Sequence, residues 1–219
     1  MSTRTLTLFA MISVAANVVA VLVVHLLRSE YDPWVHFVSE YAVGPYSWIA
    51  KAGNVFAVGG IVALFSALLS EGVVHARSVA FVSVCAHVAM RVLVWVFPVD
   101  PLEPAFADGG VPEFTATGWI HVIAGVIAAV TMMLAALLVT VHLWRMGRVS
   151  GAYWLLAVGC VLAPVWWVIT LVTPPATFPA GLYQRLFMTC LWLWMFVACA
   201  GLLSGQFSMR EKIEAWAAH

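Results

Sequence analysis

Between Gly118 and Leu143 the chain reads GWIHVIAGVIAAVTMMLAALLVTVHL, a run without one Asp, Glu, Lys or Arg. About 20 such residues cross about 30 Å of hydrocarbon as a helix. Comparable runs recur along the chain. The spacing predicts spans over residues 5–27, 48–69, 79–97, 118–143, 151–172 and 186–203. Only 9% of the 219 residues are charged and 64% are hydrophobic. Soluble domains carry about a quarter charged residues. The expected fold class is therefore all-α: a polytopic membrane protein, a six-transmembrane-helix bundle. Residues 1–205 form the six-span domain and 206–219 a short cytoplasmic tail, in which MREKIEAWAAH is a candidate amphipathic surface helix. The first apolar run is too long for a signal peptide and lacks a clean A-x-A site, so it reads as a retained helix.

Lys and Arg choose the orientation. With six spans, Arg4, Arg77, Arg145, Arg148, Arg210 and Lys212 share one side, and Arg28 and Arg185 the other. This places both termini in the cytoplasm of a cell membrane, the inner membrane in a bacterium. Tyr31, Trp34, Tyr41, Trp48, Trp95 and Trp119 gather at the outer ends as an aromatic belt. Net charge is zero, which gives no reason to expect nucleic-acid binding. Cys85, Cys160, Cys190 and Cys199 all lie in apolar runs without a CxxC pair, as small buried hydrophobes do. Trp166, Trp167, Trp192 and Trp194 read as packing or lipid-facing residues, not as a cofactor box.

Most of the remaining polar residues fall on the outer half. His36, Ser39 and Glu40 stand at i, i+3 and i+4 and share a face if their segment is helical. Lys51 and Asn54 lie one turn apart in span two. Asp100 follows span three in FPVDP, His121 opens span four, and Arg185 introduces span six. Arg91 and His87 sit deeper, on one face of span three. A charge at mid-membrane costs at least about 2.5–3.5 kcal/mol, so Arg91 needs a partner, and Glu40 and Asp100 are the nearest anions. Two readings follow. These groups either solvate the interface and fix helix register, or they line a polar pocket.

The blocks HFVSEYAVGPYSWIAKAG, FPVDP, GWIHVIAG and GLYQRL resemble, at matching intervals from about Leu6 to Leu203, the six-span membrane family of domain of unknown function 998. That resemblance implies a fold but no activity. The segment LEPAFADGGVPEF after Asp100 is longer than the family pattern leads one to expect. A fainter likeness is to Frag1/DRAM-type proteins, which share an I-S-[DE]-x-G turn after span one. Another is to alkaline-ceramidase-type membrane hydrolases, which hold zinc with His and Asp beside a Ser. Here Ser39, Asp100, His36 and His121 are the counterparts, although the H-x-x-x-H pair of a late span is missing.

Two functional classes follow. The first is a metal-assisted hydrolase or transferase acting on a lipid at the outer leaflet. His36, Asp100 and His121 supply two nitrogens and an oxygen for zinc, Glu40 is the general base, and Ser39 is a second donor. Arg91, Lys51 and Arg185 hold an anionic head group or fix the carboxylates. The second is a non-catalytic subunit that holds a lipid, a quinone or a partner membrane subunit. Haem ligation is a third reading, with His25 and His121 as the pair best matched in depth.

Overall fold

The computed structural model describes residues 1–100, 114–172 and 179–207. Among them the chain forms six long helices: α1 Thr3–Leu27, α2 Ser47–Ser70, α3 Val79–Val96, α4 Ala116–Arg145, α5 Gly151–Val172 and α6 Ala180–Leu203. No strand occurs among the described residues. Five of these helices are long and apolar enough to span a bilayer over their described residues; the corresponding stretch of α5, Gly151–Leu162, is shorter. The expected all-α polytopic bundle is what forms. The proposed tail helix and the segment after Asp100 lie outside the described residues.

Side-chain oxygens start three of the helices. Ser2, Ser78 and Thr115 accept N–H bonds from Thr5, Phe81 and Gly118 at 3.2 Å each, satisfying donors that hydrocarbon would leave bare. The helices pair as three antiparallel hairpins, α1–α2, α3–α4 and α5–α6, and α6 closes the ring against α1. Small residues let α1 and α2 approach: a Cβ on Gly60 would stand 3.2 Å from Ser13 Cβ. In contrast, α2 and α3 touch sparingly.

The apolar core fills the end that the Lys and Arg distribution assigns to the cytoplasm. Leu64, Phe65, Leu68, Met132, Leu143 and Met195 are buried there around Trp194. Its indole donates to Thr140 Oγ1 at 2.9 Å. Cys160 and Cys199 are buried as expected, whereas Cys85 is exposed.

At the opposite end a loop and a short 3-10 turn, Val38–Ala42, lie between α1 and α2. This segment is not the α-helix that would put His36, Ser39 and Glu40 on one face. Helix α6 begins six residues earlier than its hydropathy suggests, so Arg185 lies within it. The extra turn is covered by the loop. Leu182 N–H donates to the Trp34 carbonyl at 3.2 Å, and Gly181 sits directly under the Pro33 and His36 carbonyls.

Candidate functional site

The polar residues at this end of the bundle fall into two groups by their partners. The first joins the loop to α1 and α6. Glu40, 4% exposed, accepts from Phe37 N–H at 2.7 Å with Oε1 and from His36 Nδ1 at 3.0 Å with Oε2. Both carboxylate oxygens are thus engaged by the loop itself. His36 stacks on Tyr31 with ring centroids 4.5 Å apart, and Tyr31 meets Tyr41 edge-on. Burial raises the Tyr41 phenol above its ordinary range.

Arg185 fastens this loop to α6. Its Nη1 donates to the His36 carbonyl at 2.7 Å and the Gly181 carbonyl at 2.9 Å. Its Nε and Nη2 reach His25 Nε2 at 2.9 and 2.6 Å. His25 Nδ1 in turn contacts the Val21 carbonyl at 2.5 Å. A carbonyl only accepts, so the proton of His25 is on Nδ1 and Nε2 is the acceptor.

Arg28, buried at the end of α1, donates to the carbonyls of Val43 and Pro45 at 3.0 and 3.1 Å and pairs with Glu30. The same hydrogen bond holds the exposed Glu30 carboxyl below its usual range. Gly44 lies beside that guanidinium with φ +76°, a backbone conformation that glycine adopts without strain. The Gly-Pro of the first motif is thus the turn that Arg28 clasps.

The second group lies on α2, α3 and α4. The Arg91 guanidinium donates to the amide oxygen of Asn54. One turn deeper, the buried His87 holds the Ala128 carbonyl through Nδ1 at 2.8 Å, and its Nε2 has no partner. His121 Nδ1 bonds the Phe97 carbonyl at 2.8 Å. Asp100 receives Thr115 N–H at 2.7 Å and the Thr115 hydroxyl at 2.9 Å. A Cβ on Gly118 would overlap that carboxylate. Asp100 therefore braces Thr115, whose hydroxyl caps α4, and places an anion where it complements the helix dipole. Asp100→Ala is expected to cost about 1–2 kcal/mol, seen as a lower thermal midpoint in detergent. An unchanged midpoint would remove this role.

The sequence-derived set is only partly assembled. His36 and Glu40 meet, and Arg185 joins them. Arg91 does not reach Glu40 or Asp100; its partner is an amide. Ser39 is half-buried beside Glu40 in the 3-10 turn, and Lys51 is exposed on α2. The three expected zinc ligands have separate occupations: His36 with Glu40, Asp100 with Thr115, His121 with the Phe97 carbonyl. Among the described residues no three of His, Cys, Asp and Glu form a metal-ligand group. For haem, the His25 nitrogen that would face iron is the one accepting from Arg185. Asn17 was not singled out by sequence reasoning. Buried at mid-helix in α1, it donates to the Gly53 carbonyl and accepts from Trp192, each at 2.8 Å, tying α1, α2 and α6 together. A lone amide in a long apolar run was the available signal.

These features define a polytopic helical membrane protein with these polar residues layered at the end away from its apolar core. The chain belongs to the family described as protein of unknown function (DUF998), which matches residues 11–201. Neither a curated protein nor a solved structure matches it, so the Frag1/DRAM-type and ceramidase-type likenesses gain no support.

Proposed function

We propose that the protein holds an anionic lipid head group, without transforming it, where α2 and α3 face each other in the outer half of the membrane. The observation that carries this reading is Arg91. It stands five residues before the end of α3, roughly 7–8 Å below it at about 1.5 Å per residue. Its partner is the neutral Asn54 amide, and no carboxylate pairs with it among the described residues. A cation at this depth is costly without a counter-charge. A phosphate from the outer leaflet would supply one. Lys51, one turn outward of Asn54 and exposed, adds a second cation at head-group level. The sparse contact between α2 and α3 favours entry of a lipid at this seam.

Catalysis is the less supported alternative. A general base must come within reach of the proton it removes, and Glu40 is 4% exposed with each oxygen already bonded to its own loop.

Native mass spectrometry of the detergent-solubilised chain tests the binding reading. Wild type should retain phosphatidylglycerol in preference to phosphatidylcholine. Arg91→Gln should lose that preference by at least about tenfold, as when one partner of a buried charge pair is removed. Asn54→Asp should weaken lipid retention too, because it places an internal carboxylate beside Arg91. Equal retention by wild type and Arg91→Gln would end this reading.

A further inference from the structure

The contact between Arg185 and His25 is of an unusual kind. Both partners are basic, and two N–H groups of the guanidinium point at one imidazole nitrogen. A guanidinium has no acceptor, so the contact exists only while His25 Nε2 carries a lone pair. We propose that the first outer loop is a pH-sensitive cap, latched onto α6 by Arg185 while His25 is neutral and released when His25 gains a proton.

The surroundings set the sign. A proton on Nε2 would remove the acceptor and place two cations within 2.9 Å. On α1, Arg28 is occupied by Glu30 and two loop carbonyls and offers His25 no counter-charge. Tyr41 stacks on the His25 ring at 4.5 Å and contributes no charge while its phenol stays protonated. The carboxylates that act on Arg185 are Glu40 and Asp32, both in the loop segment. They would draw a displaced guanidinium away from His25. His36 bonds Glu40 through Nδ1 and meets Arg185 only through its backbone carbonyl, so its ring is not part of the latch. The latch is therefore complete while His25 is neutral and is lost when acid protonates its Nε2. Losing it also frees the His36 carbonyl from Arg185. The backbone bond from Leu182 to Trp34 and the 2.6 Å bond from Val38 N–H to Gln184 do not depend on His25 and remain.

Hydrogen–deuterium exchange of residues 33–42 in the full solubilised chain, corrected for the intrinsic pH dependence of exchange, reads the cap directly. Wild type should exchange about tenfold faster at pH 5 than at pH 7.5, the scale of a lost charge-assisted bond. His25→Gln offers an amide oxygen to Arg185 at either pH and should flatten the response, whereas His36→Gln should keep it. A flat wild type, or an acid response that persists in His25→Gln, overturns the proposal. Nitrogen NMR of the wild-type imidazole covers the case in which that variant fails to fold. His25 must carry its proton on Nδ1 alone at pH 7.5, and a doubly protonated ring there overturns the latch.

Discussion

Glu40→Ala is expected to destabilise the bundle by about 3 kcal/mol, the scale of breaking a buried, charge-assisted pair on one side. The change strands two donors at once. Phe37 N–H and His36 Nδ1 both point at the carboxylate, and neither has room for bulk water at a residue 4% exposed. A buried donor without a partner costs about 1–3 kcal/mol. Glu40→Gln should fall between wild type and alanine, since its amide oxygen still accepts one bond while its NH₂ cannot accept the other. Thermal unfolding in detergent gives the order wild type, glutamine, alanine. If alanine left the midpoint untouched while biological function disappeared, Glu40 would be a reactive group, and the catalytic reading would return.

The same residue shows how far the sequence carries. That His36 and Glu40 meet is legible from their separation by four. The shape of the turn that brings them together is not, because Gly44, Pro45 and the clasp by Arg28 form only once α1 and the loop are in place. The spans were legible because hydropathy is a local property of each run. The early start of α6 was not, since Ala180–Arg185 is helical under a loop that sequence hydropathy cannot see. For Arg91 the expected partner was a carboxylate and the one found is the Asn54 amide. Charge balance suggested a carboxylate, but Glu40 faces its own loop and Asp100 faces the start of α4. The three expected zinc ligands are likewise apart among the described residues: residue types suggested a common site, while His36 bonds Glu40, Asp100 bonds Thr115 and His121 bonds a backbone carbonyl. Asn17 illustrates the reverse case, an amide whose role depends on Gly53 and Trp192, far away in the chain.

The tightest steric test of the cap is Gly181→Ala. The added Cβ would stand 2.5 Å from the His36 carbonyl oxygen, 2.6 Å from that of Pro33 and 2.8 Å from Arg185 Nη1. A flexible side chain could swing aside, but two of these atoms are backbone. The loop as a whole must lift from α6, stretching the Leu182 to Trp34 bond and pulling the His36 carbonyl from Arg185. Overpacking of this kind costs about 1–3 kcal/mol, and the upper half of that range is expected because the displaced groups share one network. Gly151→Ala is the matched control: it too lies near a helix start, nothing stands within 4 Å of its added Cβ, and alanine is the better helix former. Gly181→Ala should lower the thermal midpoint and open residues 33–42 to protease at neutral pH, while Gly151→Ala changes neither for the worse. Equal behaviour of the two variants would mean that the loop does not sit on α6, and the latch at Arg185 would have nothing to hold.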